Sequence, residues 1–361
     1  MAENEIRIGK MVAELPGSEE YFVTPESTCT VSALEFPSTV AAGCKPLTGD
    51  VPTTQLVVMR MRDVPHYKLG LTPPGGSLDD VRNTLRNIIV GLPHCLQAVV
   101  LLQAAPDTGQ PIVHFDLKAD NIFAPDLPKL PLIADFGISF LPLEQTFERA
   151  AELVIAYEPG YYVWPPEVHL LAYLLHADRP NGPDAAATDE ELAGVAMRVA
   201  ASNPMAAAAG DQGRIDARYD EVFGFYSSLH PATAQSVYSY VMGHWDKIDL
   251  YSLCMCFGTI MGAYGLNEDD GQLAPVAQAL HEGTRADPER RPLLGQLLAV
   301  SRRAISGSSE TTISGLTIAR NRAEQNRRKA TVTLRAADRR LARTAVRLDA
   351  HLAEKATHGE Q

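Results

Sequence analysis

Apolar positions near the start of the chain recur at helical spacing: Ile6, Ile8, Met11, Val12 and Leu15 predict a helix over residues 3–14. Tyr21-Phe22-Val23 and residues 29–31 read as a short strand pair, or a strand plus a loop. Residues 36–54 are rich in Pro, Gly and Thr and predict a connection. The run Gln55-Leu56-Val57-Val58-Met59-Arg60-Met61 predicts a buried strand, broken by Pro65. After Gly75-Gly76, Ser77 is placed to cap a helix whose first turn carries Asp79 and Asp80, where the helix dipole favours anions. An apolar helix is predicted over 94–105, and a strand over 131–135. Residues 178–215, rich in Ala, Gly, Pro and Asp, read mostly as an insertion holding one Ala-rich helix near 189–201. Helices follow over 247–264 and 272–283. A last one, over 318–356, carries Leu334, Leu341, Leu348 and Leu352 on one stripe and arginines on its other faces. No internal repeat is visible.

Composition narrows the class. With 361 residues, 45% hydrophobic and 21% charged, the chain can bury one large core or two modest ones as a soluble globular protein. No apolar run approaches the roughly 18 residues of a membrane span. The N-terminal residues lack the basic and apolar regions of a signal peptide, so a cytoplasmic, reducing setting and no membrane partner are expected. Cys29, Cys44 and Cys95 are isolated. Cys254 and Cys256 sit in an apolar stretch, with no second Cys or His pair at zinc spacing, and read as small buried hydrophobes. The net charge of -12 is uneven: residues 301–361 hold 13 Lys/Arg against 6 Asp/Glu, so a basic tail follows an acidic body. The bland role for that tail is an amphipathic helix docked on the acidic body; an acidic partner, nucleic acid or helix pairing are the alternatives. No aromatic residue is interleaved among its arginines, which weighs against single-stranded nucleic acid.

Two short motifs carry chemistry. His114-Phe115-Asp116-Leu117-Lys118-Ala119-Asp120-Asn121 is followed, fourteen residues after Asn121, by Asp135-Phe136-Gly137. Phosphoryl transfer requires a base on the hydroxyl nucleophile, cations against the phosphate charge and exclusion of water. Asp116 is the candidate base and Lys118 the candidate phosphate contact. Asn121 and Asp135 offer the hard oxygen ligands that Mg²⁺ prefers. His114, Phe136 and Gly137 read as the structural frame of the two motifs. The pair resembles the catalytic loop and the metal-binding D-F-G of protein kinases.

Other residues extend the resemblance over about residues 1–300. Trp164-Pro165-Pro166-Glu167 stands where kinases carry A-P-E. Asp249-Leu250-Tyr251-Ser252-Leu253 resembles the start of the central kinase helix, whose Asp holds the catalytic-loop backbone. Asp287-Pro288-Glu289-Arg290-Arg291-Pro292 resembles a late kinase motif, which implies a buried Arg291–Glu167 ion pair. With Tyr21-Phe22, Gly75-Gly76-Ser77-Leu78 and Tyr161 through His169, the chain is similar to serine/threonine kinases of large double-stranded DNA viruses. The resemblance implies an α+β fold: a mainly helical large lobe with an incomplete β small lobe. It implies ATP and Mg²⁺ as cofactors, Met59 and Met61 on the strand beside the nucleotide, and a protein substrate modified on Ser or Thr, as Lys118 two residues after the base suggests. A viral kinase would work in the host cytoplasm or the virion.

The pattern also departs from the family. Phe115 replaces the Arg that normally pairs with a phosphorylated activation loop, which implies activity independent of such a phosphate. No G-x-G-x-x-G precedes the 114–121 loop, and Gly70 to Gly76 come after the hinge strand. Lys10 lies in a helical pattern and Lys45 in a connection, so neither suits the strand lysine. Glu3 or Glu5 would then be the helix carboxylate that this lysine normally pairs. Three explanations stay open: a start further upstream, a binding module that has lost catalysis, or completion by the tail or a partner. The resulting division is a small-lobe remnant at 1–62, a large lobe at 63–305 with an insertion at about 178–245, and a basic tail at 306–361.

Overall fold

Helix α1 (Ala2–Ala13) forms where the periodicity places it, with Glu3 and Glu5 in its first turn and Lys10 in its last, charges that suit the helix dipole. Ile8, Val12 and Leu15 bury its inner stripe. A Cβ on Gly9 would stand 2.6 Å from Pro25 Cδ, so the helix lies directly on the start of strand β1 (Pro25–Ser32). In this computed structural model the described residues are 2–32, 55–61, 67–68, 91–104, 110–124, 130–179, 182, 185–207, 212–263 and 273–306.

Strand β1 pairs antiparallel with β2 (Gln55–Met61), in a register that sets Thr28 opposite Met59 and Thr30 opposite Val57. The register slips between Pro25 and Ser27, where proline has no N–H to give to the ladder. Tyr21-Phe22-Val23 is not the partner strand of 29–31. It makes one parallel bridge to Ile133, through Val23 N–H to the Ile133 carbonyl and Ile133 N–H to the Tyr21 carbonyl, both 2.8 Å. A second sheet runs β3 (Tyr67–Lys68), β4 (Ile122–Ala124), β5 (Leu132–Ile133) in that order. The last strand is shorter than the predicted 131–135. Ala134 N–H turns to the Asn121 carbonyl, and Asp135 adopts φ 69, which no strand accommodates.

The rest is helical: α2 (Leu92–Ala104), α3 (Ala150–Leu153), α4 (Pro166–His176), α5 (Asp189–Ala201), α6 (Pro204–Ala207), α7 (Gln212–Ser228), α8 (Ala234–Gly243), α9 (Ile248–Ala263), α10 (Ala274–Gly283) and α11 (Leu294–Ser306). The described residues thus form a mainly helical fold with small antiparallel sheets. Helix α9 is apolar on every face and correspondingly buried, Cys254 and Cys256 included. Two core clusters meet at the 112–117 segment. Ile112 and Leu117 face the cluster of α1, α2 and α9; Val113 and Phe115 face that of α4, α5, α7 and α8.

The segment at 178–245 is more helical than its composition suggests. A capping box at Thr188 and Glu191 starts α5, and α5 with α7 buries Leu192, Val195, Val222 and Tyr226 in the same cluster as Phe115 and Trp164. The connection at 36–54, the helix predicted after Ser77, Gly70 to Gly76, Lys45 and the basic helix over 318–356 lie outside the described residues. Among the described residues no helix is long and apolar enough to cross a membrane.

Candidate active site

The two motifs are stitched together by backbone. Val113 and Phe140 exchange N–H···O bonds of 2.9 and 3.0 Å, Ser139 Oγ donates to the His114 carbonyl at 2.9 Å, and Ala134 N–H donates to the Asn121 carbonyl at 2.9 Å. His114 is fully buried; its Nε2 lies 3.1 Å from the Ala134 carbonyl, and burial lowers its pKa, keeping the ring neutral. Phe136 packs against it in a tilted arrangement at 4.9 Å between centroids and meets Phe22 edge-on at 5.9 Å.

From below, Asp249 at the start of α9 clamps the loop. Its fully buried carboxylate accepts His114 N–H at 2.8 Å and Phe115 N–H at 2.9 Å. Burial nevertheless raises its pKa, against the lowering effect of His114 and those two N–H donors. The expected pair of Arg291 and Glu167 also forms, as a two-pronged bridge of 2.7 Å per prong with both side chains fully buried. It fixes the 161–167 segment that faces Asp116.

Phe115 holds a backbone region that non-glycine residues seldom enter, at φ 68, and Asp135 does the same. The Phe115 ring is fully buried against Phe140 at 5.3 Å and Trp164 at 5.1 Å, and Trp164 Nε1 donates to its carbonyl at 3.0 Å. Phe115 is thus an apolar anchor of the loop.

Within this frame Asp116, Lys118 and Asn121 are in hydrogen-bond contact, and Asp135 lies near enough to act on Asp116 electrostatically. The Asp116 carboxylate receives Lys118 Nζ at 2.9 and 2.8 Å, Asn121 Nδ2 at 2.9 Å, and the Tyr161 hydroxyl. Burial raises its pKa, Lys118 and Asn121 oppose that rise, and the Asp135 charge adds to it. A carboxylate held above its ordinary range can accept a proton from a hydroxyl and release it again. Since Nδ2 of Asn121 is taken by Asp116, its Oδ1 is the atom left to face a cation. Asp135 is exposed. Gly137 keeps that turn tight: a Cβ there would lie 3.2 Å from Asp135 Oδ1. Among the described residues no three His, Cys, Asp or Glu side chains form a closed metal site. An amide oxygen and one carboxylate suit a Mg²⁺ that keeps its remaining positions for phosphate and water.

Helix α1 closes the site from above. Asn4 Nδ2 donates to the carbonyls of Ser139, Gly137 and Phe136 at 2.7, 3.2 and 3.4 Å. Of the two candidate glutamates, Glu5 is the one turned inward; Glu3 is exposed. Glu5 Oε2 is buried without a hydrogen-bond partner among the described residues, and burial together with the Asp135 charge pushes its pKa to about 7. The folded chain therefore holds a proton that the unfolded chain has released above pH 4.5, so stability falls as pH rises towards 7 and the full penalty remains above it. Glu5→Gln should abolish this part of the pH dependence, on the order of 2 kcal/mol after allowance for solvent screening. Urea unfolding at pH 5 and pH 8 measures it; an unchanged difference between the two pH values would refute the assignment.

Met61, half-buried, packs on Val23, Leu132 and Ala134; for Met59 only the backbone in β2 is described. A cavity of about 550 Å³ lies elsewhere, lined by Arg214, Arg218, Glu221, His281 and Arg285 among others, and holds none of the side chains above. Sequence reasoning missed Asn4 and the contact of Tyr161 with Asp116, because both are made across long stretches of chain by residues with no local pattern. No family model matches the chain, and a search of the curated proteins returns no match.

Proposed function

We propose that this chain has a protein-kinase-like fold with a mainly helical large lobe, and that it transfers the γ-phosphoryl group of ATP, with Mg²⁺, to Ser or Thr hydroxyls of protein substrates. The observation that carries this reading is the Asp116 cluster: a desolvated carboxylate in contact with an ammonium, beside an amide oxygen and a second carboxylate suited to a divalent cation. Asp116 orients the acceptor hydroxyl and takes its proton as transfer proceeds. Lys118 meets the negative charge on the moving phosphoryl group. Asn121 Oδ1 and Asp135 would hold Mg²⁺, which would supply positive charge against the nucleotide phosphates. Asp249 and the Arg291–Glu167 pair act through position, holding the loop backbone and the acceptor-side segment.

A second reading, a binding module without catalysis, is favoured by Glu5, whose buried carboxylate has no cation opposite it among the described residues. Incubation of the full chain with γ-labelled ATP, Mg²⁺ and a degenerate Ser/Thr peptide mixture separates the two. Label on Ser or Thr supports transfer. Nucleotide binding with no label on any acceptor would support the module and sink the enzyme.

A further inference from the structure

The proposed reaction leaves the cavity of about 550 Å³ without a role. Helices α6, α7, α9 and α10 frame it. On α7, Arg214, Arg218 and Glu221 recur at helical spacing and share one stripe. On α9 the lining includes two glycines, one turn apart. Met205 fills the space at the first, since a Cβ on Gly258 would stand 2.7 Å from its methyl carbon. A Cβ on Gly262 would meet nothing within 4 Å, so the space opens there.

Part of the wall is apolar, through Met205, Met261 and Leu280. The polar part sets three guanidiniums, of Arg214, Arg218 and Arg285, and the His281 imidazole against one carboxylate, Glu221. That carboxylate is already engaged. It accepts from Arg218 Nη1 at 2.6 Å and from Ala286 N–H at 3.1 Å, and Arg285 lies 3.9 Å away. Arg285 is in turn held by Glu282 through two bonds of 3.0 Å. Arg218 is different. Its side chain is only 8% exposed, Nη2 donates to the Tyr251 hydroxyl at 3.2 Å, and Nε–H is buried with no acceptor among the described residues. A buried donor left unmet is costly, and a group in the cavity that accepts from it removes that cost. An oxyanion meets the donor and the charge together.

We propose that this cavity binds a small organic oxyanion, a carboxylate or a phosphate monoester, with its charged group at Arg218 and an apolar body against Met205, Met261 and Leu280. The volume of about 550 Å³ falls within the roughly 300–1,000 Å³ of small-molecule pockets, which is more than a bare inorganic anion fills. The apolar part of the wall accounts for the rest of the ligand. The cavity shares no lining residue with the Asp116 cluster, so the proposal stands or falls apart from phosphoryl transfer.

The test is an NMR titration of the full chain with ¹³C-labelled methionine methyls, without ATP or Mg²⁺. The probes are benzoate, phenyl phosphate and the neutral benzamide. Met205→Leu and Met261→Leu assign the two reporting methyls among the nine methionines. The expected result is a saturable shift of both methyls with at least one of the two anions, and binding of benzamide weaker by at least about ten-fold, the effect of losing a charge-assisted hydrogen bond. Arg218→Gln should weaken the anion by a similar factor. Because that change also strands Glu221, a second variant, Arg214→Gln, is made at an exposed position of the same stripe, where about three-fold weaker binding is expected with the fold intact. No saturable shift of these two methyls with either anion would overturn the proposal. So would equal affinity for benzamide, or anion affinity that is unchanged in Arg214→Gln or in folded Arg218→Gln.

Discussion

Replacing Asp116 with asparagine should slow transfer from ATP to a serine or threonine peptide by about 10²–10⁴-fold, the usual contribution of a positioned general base. Asparagine keeps the shape and can still accept hydrogen bonds from Lys118 and Asn121, but it cannot take a proton. It also removes the negative partner of the Lys118 ammonium, which sits 2.8 Å away. Asn121 Oδ1 and Asp135 remain, so binding of Mg²⁺ with ATP should persist, and the loss should fall on turnover. Initial rates at saturating and limiting ATP separate the two. A variant with wild-type turnover would remove Asp116 from the chemistry.

Replacing Arg291 with alanine should destabilise the fold by about 3–5 kcal/mol, the cost of leaving a buried carboxylate without its counter-charge. Both side chains are fully buried, and the guanidinium also donates to the Arg285 carbonyl at 2.9 Å and the Ala286 carbonyl at 3.0 Å. It lies 4.9 Å from the Tyr251 ring centroid as well. One truncation thus strands a charge and two carbonyls. Lysine would not restore the site, since an ammonium lacks the planar fork of donors that meets Glu167 and the Arg285 and Ala286 carbonyls together. The effect is large against a typical stability of about 5–15 kcal/mol. Urea unfolding at neutral pH measures it; a loss below about 1 kcal/mol, the range of exposed pairs, would show that the bridge is not buried in solution.

Local chemistry made much of this legible. The spacing of Ile8, Val12 and Leu15 placed α1. The apolar run at 248–261 marked a helix buried on all faces, and the residue types in the 114–121 loop named the groups that meet there. Arg291 and Glu167 find each other although 124 residues separate them, which no local pattern could have told; it was the likeness of their surroundings to kinase motifs that suggested it. Other features were hidden because tertiary contacts decide them. Tyr21-Phe22-Val23 has the composition of a strand, yet it bridges Ile133, since α1 delivers it to β5 before β1 begins. The Ala-rich stretch near 189–201 was legible as a helix and forms one, capped by Thr188, but the helix at Gln212–Ser228 that packs with it was not, because its burial is set by the core. Asn4 and Tyr161 sit in ordinary sequence, and only the fold brings them to Ser139 and Asp116.

The proposed function requires that Asp135 and Asn121 gather one divalent cation and its triphosphate next to Asp116. Isothermal titration of the full chain with ATP, in Mg²⁺ and in chelator, tests this directly when repeated on Asp135→Ala. The account predicts binding that requires Mg²⁺ and disappears in the variant. Binding that is equal in chelator, or unchanged in Asp135→Ala, or no heat at all at millimolar ATP, would contradict it.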